Sequence, residues 1–271
     1  MRTKCGLMAL LIGVAPLTFA NLIFDGFPED FDNFTSQTAG SGTDGMSWSA
    51  DDGVGGVSGR INLGSASMYH MNLVYYSGDG AAITWDENEP YAASIFFLPG
   101  TISSDISHVF SGFLRSNGSN FEGGGSGVWG RMRNDGNGTY LGLYQQGTQV
   151  GSNSDTFTLS NTLWYELETT MTLANATTGD LAVNLYSRGA DGTAARTLVE
   201  SISAESVTIG NNGFSDPAFY TGFGGGNNSG NNIAAFDNFI VIPEPSAAAL
   251  MAFALGALAL FRHPRRLFHS P

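Results

Sequence analysis

The chain has 271 residues and a formal net charge of −13, from 24 acidic and 11 basic residues, with 37 glycines and one cysteine. Binding phosphate-rich partners requires many Lys and Arg side chains, so this balance excludes nucleic acid and anionic lipid surfaces as partners of the body. A lone cysteine excludes internal disulfides and thiolate metal clusters.

At the N-terminus, Arg2 and Lys4 precede a mostly apolar run from Cys5 to Leu17, and Thr18-Phe19-Ala20 places small residues where a signal peptidase reads them. This predicts a secretory signal peptide over 1–20, cut before Asn21, that carries away the only cysteine. The body that follows, 21–242, is then exported and free of cysteine. It also keeps only six of the basic residues, because Arg2, Lys4, Arg262, Arg265 and Arg266 lie in the two ends.

In the body, short apolar runs alternate with Gly, Asp, Asn and Ser. They predict strands at Asn21 to Phe27, Met46 to Ala50, Gly59 to Leu63, Met68 to Tyr76, Ala81 to Trp85, Ala92 to Leu98, Ile106 to Arg115, Gly127 to Arg133 and Thr139 to Gln146. Thr35 to Gly45 is too poor in apolar residues for a core element. Asn134-Asp135-Gly136-Asn137-Gly138 supplies residues that accept positive φ at a hairpin turn.

The clearest alternation runs from Leu163 to Leu173. Leu163, Tyr165, Leu167, Met171 and Leu173 point one way and Trp164, Glu166, Glu168, Thr170 and Thr172 the other, which predicts a half-buried strand with a solvated polar face. Leu181, Val183 and Leu185 resume the pattern as its hairpin partner. Further strands are expected at Thr197 to Ile202, Ser206 to Ile209, Ala218 to Phe223 and Ile233 to Ile242, with Gly224 to Asn232 as a loop before the last. No helical periodicity competes, so the fold class is all-β, an antiparallel β-sandwich.

The chain ends on Pro243-Glu244-Pro245, an uncharged run from Ala247 to Phe261, and Arg262, Arg265 and Arg266. The prolines predict extended backbone. The apolar run predicts a helix of roughly 22 Å, a short membrane span, with the arginines as its cytoplasmic stop.

These tail residues resemble the PEP-CTERM sorting tail. The resemblance implies an exosortase-type processing enzyme as partner, a transient stay in the inner membrane, and delivery of the body to the cell surface or an extracellular exopolysaccharide matrix. The domain reading is therefore signal peptide 1–20, sandwich 21–242 and sorting tail 243–271 with its helix over 247–261.

The Trp164-Tyr165 strand, its hairpin partner and the closing Ala235 to Val241 strand resemble the second half of a concanavalin A-like, laminin-G-type jelly roll. That resemblance implies that the first and last strands lie side by side, pairing the neighbourhood of Phe24 with that of Phe239. It also implies a structural calcium near the joined termini, for which Asp25 and Asp237 are the candidate ligands.

Candidate chemistry in the body is sparse. Glu87 and Glu89 would share a strand face, as paired carboxylates of jelly-roll glucanases do, but Asn88 and Pro90 mark that segment as a turn. Only His70 and His108 remain outside the ends, and no nucleophile or zinc motif is present. No catalytic residue is assigned. Sugars stack on exposed aromatic rings, and Trp164, on the polar face of its strand, is the candidate ligand-binding residue; Trp48, Trp85 and Trp129 lie in or beside loops. Two functions stay open: a non-catalytic glycan- or exopolysaccharide-binding module, and a glycoside hydrolase or polysaccharide lyase on the same fold.

Overall fold

The computed structural model describes residues 23–25, 34–39, 46–56, 58–63, 71–76, 83–84, 87–100, 107–115, 127–135, 137–145, 148–209, 218–227 and 234–243. Within them the strands in chain order are β1 (Ile23–Asp25), β2 (Phe34–Ala39), β3 (Met46–Asp52), β4 (Ser58–Leu63), β5 (Met71–Tyr76), β6 (Ile83–Thr84), β7 (Pro90–Pro99) and β8 (Ser107–Arg115). The series continues with β9 (Gly127–Asn134), β10 (Thr139–Gln145), β11 (Thr148–Val150), β12 (Tyr165–Asn175), β13 (Thr178–Ser187), β14 (Thr197–Thr208), β15 (Ala218–Asn227) and β16 (Ala234–Pro243). The one helical element among the described residues is a single 3₁₀ turn, Val54–Gly56.

Two antiparallel eight-stranded sheets pack face to face. Sheet A runs β14-β13-β12-β7-β16-β4-β3 with β1 beside β16, and sheet B runs β11-β10-β9-β8-β15-β5-β2 with β6 beside β15. The all-β antiparallel sandwich expected from the sequence is therefore the fold. The expected neighbours also meet: β1 lies along β16 with Phe24 opposite Ile240 and Asp25 opposite Phe239. A bulge between Asp237 and Ile240, where Asn238 takes φ 47, falls where β16 changes partner from β4 to β1. The extra residue lets the strand bend there.

The core between the sheets is aromatic. Phe223 sits 5.3 Å from Phe236 and 5.4 Å from Phe239, and Phe219 meets Tyr91 and Phe113 edge-on. A polar bridge crosses it. Thr169 of β12 donates its hydroxyl to the carbonyl of Ser111 on β8 and accepts from the N–H of Gly130 on β9, both at 2.9 Å. Gly130 must lack a side chain, because a Cβ there would overlap Val183 and the Thr169 hydroxyl. Thr169→Val keeps the shape but leaves a buried donor and a buried acceptor unmet. It is expected to cost about 1–3 kcal/mol in urea unfolding, whereas Thr170→Val, half-buried on the opposite face, changes stability little.

Four sequence expectations are corrected here. Thr35 to Gly45 is not all connection: Phe34–Ala39 forms β2, whose polar character suits the edge of sheet B, where it pairs with β5 alone. Gly224 to Asn227, expected as the start of a loop, is the end of β15, laddered to β5 and β8 on its two sides. Thr197 to Ile209, expected as two strands, is one strand to Thr208. The polar face of β12 is not solvated: Glu166 is 1% exposed and Glu168 6%.

Candidate functional site

Part of the outer face of sheet A, over Trp164, Glu166 and Glu168, is covered by its own chain. Glu166 and Glu168, two residues apart on β12, are clamped by Arg196, which forms two hydrogen bonds with Glu166 and sits 2.8 Å from Glu168; Arg188 reaches Glu166 at 3.6 Å. Burial would lower the Arg196 pKa, but the bonds and charges of the two carboxylates outweigh it and raise it. Carboxylates held this way anchor two guanidiniums and are covered from solvent. Beside them the Val54–Gly56 turn docks on the 188–196 loop, Gly55 N–H donating to Asp191 O at 2.6 Å.

Trp164, the candidate sugar-stacking ring, lies beneath this lid. It is 3% exposed and packs with Phe96 and Ala235, so its ring offers no face to a ligand. Local alternation places it on the outer face correctly but cannot show that distant loops cover that face.

Asp237 serves the same lid. Its Oδ2 accepts from Val54 N–H at 2.6 Å and its Oδ1 from Asn238 N–H at 2.7 Å, and Gly53 must be glycine because a Cβ there would overlap the carboxylate. Both oxygens thus cap backbone donors, which does not fit a calcium ligand. Among the described residues no group of three or more His, Cys, Asp or Glu could hold a metal. Asp25 is placed only by its backbone, opposite Phe239. Glu87 and Asn88 form an exposed turn, as expected, with Asn88 at φ 63. Pro243 is the last residue of β16. Glu244, Pro245, the run 247–261, Arg262, Arg265, Arg266, Trp85, His70 and the segment 1–20 lie outside the described residues. Among those described, no helix is long and apolar enough to cross a membrane.

The outer face of sheet B is also largely covered, with Trp129 and Phe110 1% exposed, Arg131 6% and Tyr144 8%, but one edge of it reaches solvent. Its register places three rows of residues across β10, β9, β8 and β15: Tyr140, Arg133, His108 and Gly226; Gly142, Arg131, Phe110 and Gly224; Tyr144, Trp129, Gly112 and Gly222. Alternation puts all twelve on one side. Glycines form the β15 end of every row, and aromatic or cationic side chains stand over β9 and β10 at every position but Gly142. Trp129 and Tyr144 stack at 6.3 Å with planes 12° apart. Arg131 lies over the Tyr144 ring at 3.8 Å and hydrogen-bonds its hydroxyl.

The first row is the half-buried rim of this face, next to the β9–β10 hairpin. Tyr140 donates to Asp135 at 3.0 Å, and Arg133 lies 3.8 Å from the same carboxylate. Burial, then that bond, pushes the Tyr140 phenol up to about 12. Burial, reinforced by the charges of Arg131 and Arg133, lowers His108 to about 3, so its ring is neutral; its Nδ1 is buried without a hydrogen-bond partner. Two arginines, a neutral imidazole and two phenols therefore converge on one sheet face of an otherwise acidic protein. The sequence reading missed this set, naming only Trp129 and His108 singly. The signal was present: Trp129, Arg131 and Arg133 fall at alternate positions of one expected strand.

No protein-family model matches the chain, and no curated protein matches its sequence. Solved structures do. The chain is similar to the PL-14 alginate lyase of Aplysia kurodai, with 12% identity, a TM-score of 0.54, and 84% of this chain covering 100% of that one. Arcelin-5, a lectin-like defence protein of Phaseolus vulgaris, matches at 12% identity and TM-score 0.49, over 81% of this chain and 97% of the other. The legume lectin-like domain of Entamoeba histolytica matches at 8% and 0.46, over 79% and 91%. At such identities the likeness is one of fold, and the first of the three carries it.

Proposed function

We propose that this protein is an exported glycan-binding module that engages an exopolysaccharide through the Tyr140, Arg133 and His108 rim of sheet B, and that its 243–271 tail hands it to an exosortase-type processing enzyme at the inner membrane. The observation that carries the binding role is the half-buried row Tyr140, Arg133 and His108, which places a phenol, a guanidinium and an imidazole side by side at the rim of that face, whereas Trp164 on the other sheet is covered. Aromatic rings suit the apolar faces of sugars, and arginine suits a carboxylate through paired donors. A protein of this fold acts on alginate, a polymer of that chemistry, in Aplysia kurodai.

The test is binding of the purified protein to a panel of neutral and uronate-bearing polysaccharides. Retention of the uronate polymers is expected, with a loss of at least tenfold in Arg133→Ala, a rim residue whose removal leaves the core intact. Chelator should change nothing, since Asp237 is already engaged. Failure to retain any glycan removes the binding reading.

A lyase is the second reading, and the register that sets His108 beside Arg133, with Arg131 in the next row, favours it. β-Elimination from a uronate needs a base for the proton next to the carboxylate and cations to hold the charge that develops; His108 and the two arginines are of the right types. Appearance of unsaturated uronate, lost in His108→Gln while binding persists, would decide for the enzyme. The tail reading is tested separately by mass spectrometry of the native C-terminus, which should end near Pro243-Glu244-Pro245 and remain intact when both prolines are replaced by alanine.

A further inference from the structure

Pro243 closes β16 in the middle of sheet A, opposite Tyr91 of β7, and Ile23 of β1 lies opposite Val241 on the other side of the same strand. Glu244 follows Pro243 directly, and the expected signal cut precedes Ile23 by three residues. At roughly 3.5 Å per residue, both junctions lie within about 10 Å of one strand end. The same pole carries the Glu87-Asn88 turn, where Asn88 N–H donates to Leu173 O, and the β12–β13 hairpin, where Asn175 faces Thr178. The opposite pole carries the start of β12 and the end of β13, where Trp164 N–H donates to Gly189 O at 2.9 Å. With β16 ten residues long, the two poles are roughly 30 Å apart.

We infer that the pole bearing Glu87 and the β12–β13 hairpin is the surface this protein turns toward the lipid bilayer, because both hydrophobic ends leave the sandwich there side by side. This rests on reading 1–20 and 247–261 as membrane-inserting segments. It adds an orientation: whether one or both segments are still attached, the point of attachment is the same, and the tail has no spacer between its first proline and the sheet. The pole itself is not adhesive. Its exposed residues include Ala174, Asn175 and Thr177, with Glu87 and Asp180 acidic. The tethers hold it down, and the axis of the strands then stands up from the membrane, with the outer faces of both sheets turned to the side.

The test uses the full chain with Cys5→Ser and single fluorophore-labelled cysteines, mixed with phosphatidylcholine vesicles that carry a nitroxide headgroup quencher. Ala174→Cys and Glu87→Cys report the proposed membrane pole; Ala190→Cys and Thr162→Cys report the far one, all four being exposed positions. Co-flotation with vesicles and quenching severalfold stronger at Ala174→Cys and Glu87→Cys is the expected result. Co-flotation with equal or reversed quenching overturns the orientation while leaving the anchor standing. Absence of co-flotation removes the anchor, and the orientation with it.

Discussion

Arg196→Ala is expected to destabilise the protein by about 3–5 kcal/mol in chemical unfolding, the scale for breaking a buried ion pair. The asymmetry of exposure decides which partner matters. The Arg196 side chain is 37% exposed and could turn to water if its carboxylates were removed, whereas the side chains of Glu166 and Glu168 are 1% and 7% exposed and cannot. Loss of the arginine would leave two buried carboxylates on one strand face with only Arg188, at 3.6 Å, to balance them. Replacing the whole set, Glu166→Gln with Glu168→Gln and Arg196→Met, should recover most of the loss, since no uncompensated charge remains. A single-variant cost below about 1 kcal/mol would mean that the cluster behaves as an exposed pair, and that the lid over sheet A is not held by it.

This cluster also shows where sequence reading reaches and where it stops. The period-two runs on β12 and β13 fixed their hairpin pairing, because hydrogen-bond register and side-chain alternation are local properties. Which of the two faces water sees is not local. Glu166 is buried because Arg196, thirty residues on, returns over it, and Trp164 because Val54 and Gly192 arrive from separate loops. The same limit applies to Gly224 and Gly226: glycine in isolation signals a loop, but β5 and β8 supply ladders on both sides and the strand continues through them. For the candidate site, each strand was legible and their juxtaposition was not. Arg133 meets Tyr140 through a hairpin turn that the sequence did announce, while His108 joins them through the β8–β9 register, which no local pattern reveals.

Acid should weaken the fold through His108 well before the carboxylates titrate. The folded ring, buried and facing Arg131 and Arg133 with Asp135 the nearby opposing charge, takes up a proton only at about 3, against 6.5 for an ordinary histidine. Between those values the unfolded chain binds more protons at this group than the folded one. Stability is therefore complete above about pH 6.5 and falls as pH falls, by roughly 1.4 kcal/mol per pH unit once below that value. Asp135 and Asp191, both with lowered values, add their own loss at more acidic pH, so the diagnostic window is pH 6.5 to 5. Across it the protein should lose about 2 kcal/mol that His108→Gln does not, because the glutamine cannot charge. The measurement is urea unfolding of both proteins at half-unit steps. Parallel curves through the window would mean that the ring titrates alike in the folded and unfolded chain, and hence that the first row of the sheet B face is wetter and less cationic than its burial and its two arginines imply.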